Sequence, residues 1–515
     1  MRRACYGNEQ RWSGRLPVSL NVLLILLGLL CVMAAPISGQ DSSQAALEKR
    51  VEQLTEAMSR AQVQLEDSQR QLEELRSQLA ALRQQMAGTA ANTASSSDAA
   101  QLARAVDEIR EHQAIQESQI ATLDQAKVES ESKYPVKLTG LILLNGYVNT
   151  RQVDVAATPS IAIEGAGSTG VSMRQTVLGV DARGPHLFGA SSHADVRMDF
   201  DGNSQPGGAT GGYADSFVRM RTVHAGLDWD RTRIFFSYDH PLISPYTPDS
   251  LSAIALPALA WSGNLWAWNA QIGATQDISR SAGPRLRLQA ALIDVSDPPA
   301  LYGNPAGASL GTAPLTTTAE NSRWPGVETR FALLGAHEEK SPQVGVGGYF
   351  APHRTFGGID FDSWAGTLDY REPLPGRMNL TANFYRGLAL GGLGGGGYKD
   401  YAFAVNPLYP AEYYFRALDD VGGWAQWQWL ASERLRFNAA FGIDNVPAGE
   451  LAPYTGAPTA VYQNLARNRT ATGNVIYSPS AYLLFSLEYR RLASSPVVGP
   501  TAIGDTIGIA AGYKF

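Results

Sequence analysis

From residue 136 to the end of the chain, apolar and polar residues alternate in segments of about ten, separated by clusters of Gly, Pro, Asn and Asp. In one segment Ala194, Val196, Met198 and Phe200 share a face, opposite His193, Asp195, Arg197, Asp199 and Asp201. In another, Thr232, Ile234, Phe236 and Tyr238 oppose Arg231, Arg233, Ser237 and Asp239. Period two predicts strands, and about sixteen segments can be marked off, an even number, between one that starts near Val136 and one that starts near Ala502. The second is expected to start near Val171 and to end at the turn Arg183-Gly184-Pro185-His186. Links alternate in length, with the one near Arg354 to Gly358 as an exception. Ser432-Glu433 and Ser478-Pro479-Ser480 are short, whereas Asp154 to Gly170, Pro241 to Gly263 and Gly391 to Asp420 are long and rich in Gly and Pro. A closed dry core could not hold so many charges on one face of its strands, but a water-filled lumen can. The pattern predicts an all-β transmembrane barrel of about sixteen antiparallel strands over residues 135–515, apolar outside and polar inside.

The first 134 residues read differently. Residues 1–39 have the form of a secretory signal: Arg2, Arg3, Arg11 and Arg15, then the apolar run Val18 to Val32, then small residues. Over residues 40–87 a heptad places Val51, Met58, Leu65, Leu72, Leu79 and Met86 in one seam position, and Leu47, Leu54, Ala61, Ser68, Leu75 and Leu82 in the other, with Ala61 and Ser68 weakening the middle of the seam. Such a long polar helix needs a partner, so an N-terminal α-helical coiled coil is expected. Residues 88–100, rich in Ala, Ser and Thr, form a flexible linker, and residues 101–134 form a second short helical segment.

Composition narrows the possible functions. The net charge of −6 argues against a nucleic-acid partner. Both cysteines, Cys5 and Cys31, fall in the signal segment, which suits an oxidising compartment. The histidines show no metal-ligand spacing, and no nucleophile is placed beside His193 and Asp195. No enzyme, catalytic residue, metal or cofactor is therefore expected.

The final strand places Ile507, Ile509, Ala511, Tyr513 and Phe515 on one face. An apolar, aromatic strand that stops at a C-terminal Phe resembles the closing strand of bacterial outer-membrane barrels. That likeness makes Tyr513 and Phe515 the assembly signal read by the barrel assembly machinery. Signal, coiled coil and a barrel of this size together resemble the DcaP-like porins. Locally, Phe217-Val218-Arg219-Met220-Arg221-Thr222-Val223-His224-Ala225-Gly226 resembles that family's strand with two lumen-facing arginines. The resemblance implies a homotrimer in outer-membrane lipid, a coiled coil in the periplasm, and passage of small anionic solutes such as dicarboxylates. Where members of the family often carry Trp-Ser, this chain has Ser237-Tyr238.

As in porins generally, the loop Pro241 to Gly263 is expected to fold inward, and it carries almost no charge. Selectivity then falls to the wall, where Arg197, Arg219, Arg221 and Arg233 are the candidate constriction and anion-binding residues. Arg233, like Arg285, Arg287, Arg434 and Arg436, follows a short turn and is expected at the periplasmic mouth, where it contributes a field. The alternative is that Arg197, Arg219 and Arg221 pair with Asp195, Asp199 or Asp215 and only line the wall. Trp266, Trp268, Trp427 and Trp429 are expected in the headgroup girdle rather than in an aromatic slide for sugars. A structural anchor, with the coiled coil tethered to peptidoglycan, is the other class of function that the sequence allows.

Overall fold

The computed structural model describes residues 136–515 apart from 203–216, 279–282, 299–315, 337–340, 356, 406–412 and 455–462. The signal, the coiled coil, the linker and the second helical segment lie outside the described residues.

The described chain is a closed antiparallel barrel of sixteen staves. The first strand, β1 (Val136–Val153), pairs with the last, β19 (Ala502–Lys514), from Leu141↔Lys514 to Asn149↔Thr506, and so leaves no open edge. The other side of β1 is covered by two strands in series. Its upper half pairs with β2 (Ala162–Ser172) and its lower half with β3 (Val177–Leu187). These two strands form a single stave that breaks at residues 173–176, and the break is what brings nineteen strands, less a hairpin in a loop, to sixteen staves.

Along β19 exposed Ile503, Ile507, Ile509 and Tyr513 alternate with buried Ala502, Thr506 and Ala510. The outer wall is largely apolar, with Phe236, Phe331, Phe384, Phe441 and Leu487 all more than half exposed. Phe515 continues this face. It exchanges two backbone hydrogen bonds with Gly140, at 2.9 and 3.0 Å, and its ring fills the space where a Cβ on residue 140 would stand.

Short turns gather at the end that also holds Val136 and Phe515, and long loops gather at the other. One turn differs from expectation. The second stave runs past Arg183-Gly184-Pro185-His186 through a bulge to Leu187, and it reverses at Phe188-Gly189, both with positive φ (52° and 78°), ahead of β4 (Ala190–Asp199). This stave also begins at Ala162 rather than near Val171.

The buried apolar residues lie inside the barrel. One cluster joins wall residues Ile293, Tyr349, Ala365 and Tyr385 to loop residues Ile243, Leu265, Leu390 and Leu393. A second joins Ile161, Trp261, Tyr398 and Leu465. The inward loops are therefore packed against the wall and do not lie free in water. The segment 389–418 contributes two 3-10 turns and the hairpin of β13 (Tyr401–Val405) and β14 (Tyr413–Ala417).

Candidate functional site

The loop between β6 (Thr232–Asp239) and β7 (Asn269–Ile278) enters the lumen and bonds to wall residues on many of the staves. Asn383 donates to the Ile243 carbonyl at 3.4 Å, and the Tyr246 hydroxyl donates to Gln343 at 2.9 Å. Asp249 receives Gln428 and Arg436, and its N–H donates to Gln426. Ser250 bonds Glu488, and Asn145 donates to the Leu251 carbonyl at 2.9 Å. With one acid and many Ser, Ala and Pro residues, the loop takes its polar partners from the wall.

The firmest grip is on residues 252–255. Gln175, fully buried in the break between β2 and β3, accepts the N–H groups of Ile254 and Ala255 at 2.7 and 3.1 Å, and donates to the Ser252 carbonyl at 3.2 Å. At the break residues 173–176 leave the ladder, and the side-chain amide of Gln175 is directed at the loop. The two carbonyls that Gln175 cannot reach belong to arginines of β5 (Arg219–Asp228). Arg221 donates to Ile254 O at 2.5 Å and Arg219 to Ala255 O at 2.8 Å. The N–H and carbonyl groups of Ile254 and Ala255 are therefore all paired, as burial favours.

Both arginines also share Asp199, which is fully buried. Arg219 holds it through Nε and Nη2, at 3.1 and 2.7 Å, and Arg221 approaches it at 3.4 Å. Both guanidinium carbons lie about 5 Å from the ring of Trp268, at 5.1 and 5.0 Å. Arg221 uses a single nitrogen, Nη1, for its two acceptors, and its Nε and Nη2 have no hydrogen-bond partner among the described residues.

The structure does not bring all four candidate arginines together. Arg197 bonds Asp181 at 2.5 Å and lies 3.7 Å from Asp195. It lines a cavity at the short-turn end with Lys137 and Lys514, and neither lysine's ammonium has a partner among the described residues. Below Arg219 and Arg221, His224 bridges Asp195 and Asp239, at 3.0 and 2.7 Å. Arg233 pairs with Asp228 beside the short turn, where more than half of its side chain is exposed. Elsewhere in the lumen arginines also meet carboxylates: Arg287 with Asp277, Arg330 with Asp369, and Arg490 with Glu488.

The tryptophans divide. Trp427 and Trp429 stack on the outer wall near the short-turn end, as a girdle should. Trp266 and Trp268 do not belong to it. They pack edge-on inside the barrel, Trp266 against Trp261, and Trp261 stacks on Tyr398 at 4.1 Å. Both stand just before a strand, and sequence position alone places such residues at the interface. Their inward turn follows from the loop's path. Trp261 and Trp268 are less than a tenth exposed, so this aromatic group ties two loops together and offers no track to a solute.

No protein-family model matches the sequence, and no curated protein matches it. Among solved structures it is similar to the outer membrane channel DcaP of Acinetobacter baumannii. The TM-score is 0.53 at 14% identity, over 75% of this chain and 99% of that one. The anion-selective porin from Comamonas acidovorans gives a TM-score of 0.46 at 10% identity, over 74% of this chain and all of that one. OprB of Pseudomonas putida gives 0.44 at 8% identity, over 74% of this chain and 94% of that one. The chain has the sixteen-stranded fold of an outer-membrane porin, and the DcaP-like resemblance of its sequence extends to the architecture of the whole barrel.

Proposed function

We propose that this chain is a trimeric outer-membrane porin that passes small hydrophilic solutes by diffusion and prefers anions, small dicarboxylates among them. The outer wall suits lipid, and the polar lumen suits water and ions. The observation that carries the anion preference is the pair Arg219 and Arg221. They stand where the inward loop meets the wall, and among the described residues no partner takes Nε or Nη2 of Arg221, the pair that could fork onto a carboxylate. Lys137 and Lys514 add cationic charge at the short-turn mouth, beside Arg197. A dicarboxylate would enter by the field and be handed from one cation to the next.

In this reading the coiled coil of residues 40–87 stands in the periplasm, and Tyr513 and Phe515 serve assembly. A sugar-selective channel finds less support, because Trp261, Trp266 and Trp268 are packed into the loop core. The test is flux into liposomes loaded with the purified protein. Succinate should enter faster than a neutral sugar of similar size, and Arg219→Ala with Arg221→Ala should remove most of that preference. Equal rates for the two solutes in the unmodified protein would reject the anion assignment.

A further inference from the structure

Several arginines inside the barrel sit beside acids, among them Arg219, Arg287, Arg330 and Arg490, whereas two on the outer wall do not among the described residues. Arg467 and Arg469 lie on the outward face of β17 (Leu465–Tyr477) towards the long-loop end. Arg467 donates through Nε to Asn445 at 2.7 Å, and Arg469 has no partner for its shielded Nε. Neither meets a carboxylate among the described residues. Their outward neighbours are neutralised: Arg491 lies 3.4 Å from Asp505, and Arg386 lies 3.3 Å from Asp419.

Beside these two arginines the wall is hollowed. Gly423 of β15 (Asp419–Leu430) pairs with Phe384 on one side and with Ile443 of β16 (Leu435–Asn445) on the other, and Ile443 pairs with Arg469. A Cβ on residue 423 would stand 2.7 Å from the Asn383 carbonyl, so glycine keeps the floor of the hollow low. Leu368, Phe384 and Phe441 form its apolar sides, and Arg467 stands on its rim.

Depth places the charge at the membrane surface. Arg469 and Tyr477 lie eight residues apart on one strand. At about 3.3 Å per residue and a tilt near 40°, that is roughly 20 Å of height, close to the apolar band of about 25 Å. With Tyr477 at one interface, Arg469 sits at the other, where the outer leaflet keeps its headgroups. Side chains two apart on a strand are about 6.6 Å apart, which lets both guanidinium groups straddle a phosphate.

We propose that the outer wall of β15–β17 binds a phosphorylated lipid of the outer leaflet that carries several acyl chains. The phosphate lies between Arg467 and Arg469, and an acyl chain lies in the hollow over Gly423. The site is separate from the pore and does not depend on the solute that passes.

The full-length protein in mild detergent is titrated with a bis-phosphorylated hexa-acyl lipid A and with its dephosphorylated form, and adducts are counted by native mass spectrometry. One tight adduct per chain is expected with the phosphorylated lipid only, weakened at least ten-fold in Arg467→Ala with Arg469→Ala. Ala425→Trp, which fills the hollow and leaves the charges in place, should weaken it as well, and it keeps the test decisive if the arginine variant does not fold. Millimolar inorganic phosphate should not displace the lipid. Equal binding of the dephosphorylated lipid, unaltered binding in a folded arginine variant, unaltered binding in Ala425→Trp, or displacement by phosphate would each overturn the assignment.

Discussion

Arg219 holds Asp199 through both Nε and Nη2, and the same Nη2 reaches across at 2.8 Å to the Ala255 carbonyl. One guanidinium thus serves the wall and the inward loop together, and Asp199 fixes its direction. A side chain placed this way is costly to remove for two reasons. The loop loses an anchor, and a buried carboxylate loses its better partner.

Loop anchoring is tested first at Gln175, which carries no charge. Gln175→Ala strips three hydrogen bonds from residues 252–255 and leaves two buried N–H groups unpaired. The expected cost is about 1–3 kcal/mol for each unpaired group. Open-channel noise should rise in single-channel records, and the folded barrel should unfold at a lower temperature in detergent. A quiet channel with unchanged conductance would show that the loop does not depend on this amide.

Closure of the barrel is tested at the seam. Removal of Phe515, or Phe515→Ser, should reduce the amount of heat-modifiable barrel in the outer membrane. Gly140→Leu should do the same with the C-terminus intact, because its side chain would collide with the Phe515 ring. Normal levels for all three variants would contradict a role for this contact in assembly.

The segment 389–418 should respond to pH. Burial, with nearby Asp297, pushes the carboxyl of Asp400 up to about 8. Between about pH 4 and pH 8 the folded loop keeps this proton, whereas an unfolded chain has lost it, so stability falls as pH rises through that window. Lys399 acts at higher pH: burial lowers it to about 8, so stability recovers from there towards 10.5. Hydrogen exchange in this segment, corrected for intrinsic rate, should be faster at pH 8 than at pH 5. Asp400→Asn should reduce the difference, the remainder belonging to buried Asp420 and Asp444 beside the same turns, and an unchanged difference in that variant would assign it wholly to other groups.

Assembly as a trimer is tested by native mass in detergent. Three chains are expected, and deletion of residues 41–130 should leave a folded barrel, because the described hydrogen bonds close without it. A monodisperse monomer of the full chain would contradict the trimer.

Much of the barrel was legible in the chain. Period two in Ala194 to Asp201 and in Thr232 to Asp239 faces the lumen and the lipid as expected, and the alternation of short and long links marks the two rims. The interior was harder to read. The break at residues 173–176 has no turn signal strong enough to separate it from a loop, so the second stave looked shorter than it is. The turn at Phe188-Gly189 was hidden because Gly184-Pro185 looks like a reversal but sits in a bulge. The apolar loop residues gave no sign of their partners: Gln175 meets Ile254 across 79 positions, and Trp261 stacks on Tyr398 across a longer span still. Nor does spacing reveal which acid neutralises which arginine, since Asp199 takes two and Arg197 turns to Asp181.

The measurement that bears most directly on the anion-preferring pore is the reversal potential of single channels under a gradient of potassium chloride. Wall charges act within a Debye length of about 8 Å at physiological salt, so Arg219, Arg221, Lys137 and Lys514 should outweigh the acidic net charge of the chain. The unmodified channel should reverse on the chloride side, and Arg219→Ala with Arg221→Ala should move the potential towards potassium. A channel that already reverses on the potassium side would mean that Asp199 and its neighbours neutralise the arginines, and would contradict the account.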